Sequence, residues 1–347
     1  MKKSDIVALI KAYANNNRTD FINKSMDIAN DFKESGDVEL SQYIMSLFSE
    51  GLNMSPQGEE QVSSFFTEIS DCNQPLYLPE GITSDLLGII NSIKGSKGLN
   101  KFLFIGKPGT GKTEAVKQLA KALGRTILCV NFSTIVDSAL GQTNKNLISL
   151  FKEINNLYNP SNYIVLFDEI DALVLDRINK NDLREMGRAT STFLKCLDTL
   201  DNKVLLIGTT NLYEYLDKAL VRRFDAVISF DCYSLKDKID IANNLISYYK
   251  KGNNISKDER LLSKIIKLTD NDSLTPGILK NTIRQAIAFS SVTDPNNYLM
   301  RIFDKLKAKP YTFEELSSYG FTVREIEILT GVSKSTVSRK LSEGTNE

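Results

Sequence analysis

The chain opens with apolar residues at helical spacing. Ile6, Leu9, Ile10 and Tyr13 share one face, and Phe21, Met26, Ile28 and Phe32 form a looser one. Gly36-Asp37 interrupts the period, and Leu40, Tyr43, Ile44 and Leu47 restart it. This predicts a small helical module, and a docking or oligomer contact is its simplest use. Between 51 and 80 the pattern is lost among Gly51, Pro56, Gly58, Pro75 and Pro79, which marks a boundary. A helix from about 84 to Lys94 follows, and then short apolar runs alternate with helical stretches: KFLFI (101–105), TILCV (126–130), YIVLF (163–167) and VLLIG (204–208). Short apolar strands separated by helices predict a parallel sheet covered on both faces. Residues 235–309 read as helices throughout, Pro310 closes them, and a short helical unit fills 311–347. The expected units are 1–75, 76–233, 234–309 and 310–347.

Composition narrows the chemistry. The 347 residues carry 43 basic and 43 acidic side chains, which excludes a uniformly basic nucleic-acid coat and an acidic tail. There is no histidine, so His-based triads, proton shuttles and His metal sites are excluded. Cys72, Cys129, Cys196 and Cys232 are far apart with no CxxC, which predicts buried, structural thiols in a reducing compartment. The apolar start is cut short by Lys11, and no run reaches the ~18 apolar residues of a membrane helix. The expectation is a cytoplasmic protein with no membrane partner.

The sharpest signal follows the first predicted strand: Gly106, Lys107, Pro108, Gly109, Thr110, Gly111, Lys112 and Thr113, spaced GxxxxGKT, with a helix to Leu123 behind. Glycines let successive N–H groups point at phosphate oxygens, and the helix N-terminus adds partial positive charge. Lys112 is placed to reach the β- and γ-phosphates of a nucleotide and Thr113 to offer its hydroxyl to Mg²⁺. Glu114, in the first helical turn, is taken with the loop. A second strand ends in Asp168-Glu169, with Asp168 expected to hold Mg²⁺ and Glu169 to polarise an attacking water. After a third strand, Asn211 in Thr209-Thr210-Asn211 points an amide at the same place.

Taken together, these residues resemble the AAA+ ATPase superfamily and its AAA clade. GKPGTGKT resembles Walker A, IVLFDEIDAL (164–173) Walker B and GTTN (208–211) sensor 1. Residues 216–225 resemble the arginine-finger segment, with Arg222 and Arg223 adjacent as in the katanin–spastin branch. The resemblance covers about residues 76–305. It implies a P-loop α/β core with a helical lid over 235–309, between the N-terminal module and the C-terminal unit. It implies Mg²⁺-dependent hydrolysis of ATP in a homo-oligomeric ring, typically a hexamer, with Arg222 and Arg223 reaching the neighbouring subunit's nucleotide. The lid helix starting at Thr275-Pro276-Gly277 lies where relatives sense nucleotide, whereas Arg284 does not match a sensor arginine.

Protein-threading members carry an aromatic–aliphatic–Gly loop. Here the matching segment is 136–143, in which Ala139 replaces the aromatic while Leu140, Gly141 and Thr143 fit. Alanine offers little area for gripping a strand, so remodelling is expected rather than processive unfolding. The charged segment from Asp176 to Arg188 reads equally as a second pore loop or contact and as a solvated loop.

Residues 321–342 resemble a helix-turn-helix, with helices Thr322–Thr330 and Lys334–Leu341 around Gly331-Val332-Ser333 and Ser333 as the cap. Lys334, Ser335, Thr336 and Arg339 would face a major groove of double-stranded DNA. Against this, Glu327 stands where such motifs place alanine, and residues 310–347 hold four basic and six acidic side chains. A DNA reader and a protein-contact module both remain open. Two functions follow: an ATPase that remodels or regulates a protein partner or effector, or a DNA-associated helper ATPase of transposition, replication or anti-phage defence.

Overall fold

The computed structural model describes residues 18–38, 64–69, 76–95, 98–135, 142–157, 159–173, 183–250, 255–291 and 293–343, together with the single positions 7, 10, 11, 40, 41 and 44. It divides into two compact units, Met1–Gln61 and Val62–Glu347. In the first, helix α1 (Arg18–Glu34) buries Ser25 and Ala29 and ends in a turn at Gly36. Most helical positions expected on either side of it lie outside the described residues.

The second unit holds a six-stranded sheet of β1 (Phe66–Ile69), β2 (Lys101–Ile105), β3 (Thr126–Val130), β4 (Tyr163–Phe167), β5 (Leu205–Thr210) and β6 (Ala226–Ser229), ordered β1-β3-β4-β5-β2-β6. All pairings are parallel except that of β1 with β3. The four strands expected from apolar runs form at the centre, with β5 shifted toward its polar end. The edge strand β1 carries Thr67 and Glu68 on its exposed positions and offers no apolar run to read, and the other edge strand, β6, is only four residues long and exposes Val227 and Ser229. Because β1 joins the sheet, the α/β unit reaches back before residue 76, into the stretch read as linker.

Alternation along each central strand fills two cores. Phe102, Phe104, Ile164, Leu166 and Ile207 meet α2 (Glu80–Lys94) and α3 (Lys112–Leu123), while Leu103, Val165, Phe167 and Leu206 meet α4 (Gln142–Asn155) and α5 (Leu183–Asp198). Each fully buried side chain of this kind contributes about 1.5–3 kcal/mol, enough to hold the strand ends that carry the polar residues below.

Beyond β6 run α6 (Leu235–Tyr249), α7 (Glu259–Thr269), α8 (Pro276–Ala288), α9 (Asn297–Leu306), α10 (Phe313–Ser318), α11 (Val323–Thr330) and α12 (Lys334–Glu343). Pro310 separates helices here but not cores. Leu316, Phe321, Ile326, Leu329 and Val337 pack into the same cluster as Ile266, Leu279, Ile283, Leu299 and Ile302. The boundary expected at 309/310 therefore cuts through one hydrophobic core. A partly buried ion pair crosses it too: Lys264 Nζ on α7 lies 2.6 Å from Glu325 Oε2 on α11. Burial alone would raise the Glu325 pKa, but hydrogen bonds from Lys264 and Thr322 prevail and lower it.

Among the described residues no helix is long and apolar enough to cross a membrane. Cys129 and Cys196 are half-buried, but Cys232 is exposed, so the buried role expected of the thiols does not extend to it. Cys72 lies outside the described residues.

Candidate active site

The site sits where β2, β4 and β5 end. Leaving β2, the chain turns through Gly109 and Gly111 at φ of 78° and 96°, backbone that a side chain disfavours. α3 then begins with no side chain capping its N-terminus. Lys112 is buried at that start. Its ammonium donates to Gly106 O (2.6 Å), Lys107 O (3.0 Å) and Asn211 Oδ1 (2.6 Å). Burial lowers its pKa against the opposing pull of Asp231, Asp168, Asp171 and Glu169.

Beside it lies a chain of hydroxyls and carboxylates. Thr113 Oγ1 donates to Asp168 Oδ1 at 3.0 Å. Thr209 Oγ1 donates to the same oxygen at 2.6 Å and accepts the Glu169 N–H at 2.9 Å. Glu169 adopts a left-handed φ of 56° and is exposed. The loop is held from outside by Asp231, whose Oδ1 accepts the Lys107 N–H at 2.8 Å. The Tyr233 hydroxyl donates to Thr110 O at 2.7 Å. The Thr110 hydroxyl closes the loop on Lys107 O, and Pro108 is exposed. Glu114 turns its carboxylate to Lys117 at 2.9 Å.

The helical block touches the loop directly. The Gly277 N–H, at the start of α8, donates to Gly109 O at 2.8 Å, and a Cβ at Gly277 would lie 2.9 Å from the Gly109 backbone. Arg284, further along α8, is exposed. Asp231, Tyr233 and Thr209 escaped the sequence reading. The first two follow the unread strand β6, and the role of Thr209 depends on a neighbouring strand.

The adjacent arginines differ. Arg223 is anchored within its own chain, with Nε 3.2 Å and Nη2 3.3 Å from the Asp198 oxygens and Nη1 2.8 Å from Ala219 O. Arg222 is exposed and has no ion-pair partner among the described residues. The segments 136–141 and 176–182, read as pore loops or contacts, lie outside the described residues.

Thr113 and Asp168 offer adjacent hard oxygen donors, which suits Mg²⁺. Among the described residues no cluster of three or more Cys, Asp or Glu gathers.

In the C-terminal unit, Gly331 (φ 70°) ends α11 and α12 begins at Lys334. Ser333 stands just before α12, its carbonyl accepting the Val337 N–H at 3.0 Å and its hydroxyl lying 3.0 Å from that of Thr336. Glu327 Oε1 also accepts the Lys334 N–H at 2.9 Å, a reach that the expected alanine lacks. Val337 is buried, Lys334, Ser335 and Arg339 are exposed, and Thr336 is half-buried.

Residues 102–232 match the family model described as ATPase family associated with various cellular activities (AAA). An uncharacterized AAA family ATPase, y4kL, of Sinorhizobium fredii is 33% identical over 154 residues, 42% of this chain and 46% of that protein. Spastin of Danio rerio is 31% identical over 172 residues, 48% of this chain and 29% of that protein. The chain thus spans less than half the length of these relatives. The crystal structure of the FIGL-1 AAA domain in complex with ADP superposes with a TM-score of 0.51 at 19% identity, covering 76% of this chain and 97% of that one. The fold is that of an AAA domain.

Proposed function

We propose that this chain is a Mg²⁺-dependent ATPase that works in a homo-oligomeric ring, typically a hexamer, and uses the cycle to remodel or regulate a protein partner. The observation that carries the reading is the convergence on one strand-end cluster of a buried lysine, an open helix N-terminus and a paired aspartate and glutamate. The loop N–H groups and Lys112 would bind the phosphates, with Lys112 exchanging its carbonyl partners for phosphate oxygens. Thr113 and Asp168 would hold Mg²⁺, which when bound neutralises charge on the phosphates. Glu169, exposed at the strand end, would take a proton from a water that Asn211 helps to orient. Arg222, exposed and unpaired among the described residues, is the better placed of the two arginines to serve a neighbouring subunit, while Arg223 braces its own segment against Asp198.

The test is complementation. Lys112→Ala and Arg222→Ala are each expected to lose turnover, and mixing the two chains to restore it, because one kind of mixed contact has an intact lysine beside an intact arginine. Failure to recover on mixing overturns the assignment across subunits, and full turnover by Glu169→Gln overturns the hydrolytic site.

A second reading, contact with double-stranded DNA through α12, is favoured by where the acidic residues of the C-terminal unit go. Glu315 pairs with Lys309, Glu325 with Lys264, and Glu327 with the α12 backbone. Lys334, Arg339 and Lys340 are exposed on α12, with Glu343 3.9 Å from Arg339 on the same helix. Three of the segment's acidic residues are thus engaged away from the α12 side chains, and Glu343 is not. The measurement is duplex binding by the Glu169→Gln chain with ATP across a salt series, compared with the same chain carrying Arg339→Glu. A steep salt dependence weakened by the substitution supports DNA contact, and no binding at low salt leaves a protein contact.

A further inference from the structure

We infer that Thr209 is a positioning residue that sets both members of the Asp168–Glu169 pair. The inference rests on the hydrolytic reading above and deepens it. A threonine hydroxyl has one proton to give and lone pairs to receive, and here each is committed. The proton goes to Asp168 Oδ1 at 2.6 Å, and the Glu169 N–H comes to the oxygen at 2.9 Å. The side chain emerges from β5, a strand buried along its whole length, and Thr209 is 1% exposed. Its hydroxyl therefore has a fixed origin and little freedom to rotate away.

What it holds needs holding. Glu169 has φ of 56°, a conformation that residues with a side chain seldom adopt. The backbone there leaves β4 and turns sharply, and the bond to Thr209 ties the first amide of that turn to the neighbouring strand. The direction of the Glu169 carboxylate follows from the turn. The Asp168 carboxylate receives a second hydrogen bond, from Thr113 Oγ1 at 3.0 Å. Thr209 thus fixes one oxygen of Asp168 from the sheet side while Thr113 approaches from α3. Thr209 lies on the strand adjacent to both carboxylates, and among the described residues its side-chain hydrogen bonds go to Asp168 and Glu169 and not to the phosphate loop. Its loss should leave nucleotide binding intact and misplace the groups that act on the water and the cation.

Thr209→Val keeps the shape and deletes the hydroxyl, while Thr209→Ser keeps the hydroxyl. Thr209→Val is expected to lower kcat about tenfold or more. Nucleotide affinity, measured at equilibrium in EDTA, should stay within about threefold, and Thr209→Ser should restore most of the loss. Undiminished kcat in Thr209→Val overturns the assignment. So does a parallel loss of nucleotide affinity, or an equal defect in Thr209→Ser, since each points to packing rather than to the hydroxyl. If Thr209→Val fails to fold, Thr209→Ala beside Thr209→Ser makes the same comparison. Glu169→Gln separates the two levels. Its retention of full turnover defeats the hydrolytic reading, whereas its inactivity beside a fully active Thr209→Val defeats Thr209 alone.

Discussion

Two helices in this chain start in the same way and are used differently. α3 and α12 each begin at a lysine shortly after a glycine with positive φ, and each presents the partial positive charge of a helix N-terminus. At α3 no side chain caps the end, and the neighbouring carboxylates Asp168 and Glu169 follow the end of β4. At α12 the chain supplies its own anion, the Glu327 carboxylate on the Lys334 N–H. An open helix end beside a buried cation suits the phosphate proposed for it, whereas a filled one acts as a structural joint. Any DNA contact by α12 must therefore run through its exposed side chains rather than its end.

The comparison breaks most decisively at Lys112. Lys112→Ala should weaken nucleotide binding by about 100-fold or more, read by calorimetry, because a charged hydrogen-bond donor is lost from a low-dielectric site. The corresponding Lys334→Ala should leave nucleotide affinity unchanged.

Next in size is the joint between the lid and the C-terminal unit. Glu325→Ala leaves Lys264 with only the Gly320 carbonyl and removes the α11 capping box, and it should lower stability by about 2 kcal/mol in denaturant melts. Because the folded pKa of Glu325 is lowered, its contribution is complete above the ordinary carboxylate value of about 4.3. That contribution is lost as pH falls through the folded pKa. Melting midpoints of the native chain and the variant should therefore converge in acid.

Gly277→Ala tests whether the lid rests on the open helix end. Its Cβ would meet the Gly109 backbone at 2.9 Å, and overpacking of this kind costs about 2 kcal/mol. Weaker nucleotide binding together with a lower melting midpoint is expected, and no change in either would mean that the lid contact gives way freely.

The smallest effect belongs to Glu327→Ala, which removes a helix cap and should cost about 1 kcal/mol in melts. It also removes a carboxylate from the helix that would approach DNA, so duplex affinity should rise. A fall in duplex affinity would mean that the α12 end is a phosphate contact after all.

The central strands were legible because each is a short apolar run buried on both faces, and the phosphate loop because its glycines and lysine are contiguous. Strand β1 was not, since its exposed positions are Thr67 and Glu68, and β6 was not, since only the short run Ala226–Ile228 precedes its exposed Ser229. The residues that follow β6, Asp231 and Tyr233, were missed with it. Glu327 looked like a defect in a helix-turn-helix because its acceptor role lies seven residues on, across a turn.

The local pattern alone determined the alternation of strands and helices, the helical block after the last strand and the functional groups offered by Lys112, Thr113, Asp168 and Glu169, since each depends on neighbours in the chain. Tertiary structure decided which polar groups meet. It bonded Thr209 to Asp168 and Glu169, rested Gly277 on Gly109, separated an anchored Arg223 from an exposed Arg222, and joined the C-terminal helices to the preceding helical block through one core. The reason is physical: propensity and periodicity act over a few residues, whereas hydrogen bonds and packing are settled by distances between segments that only folding brings together.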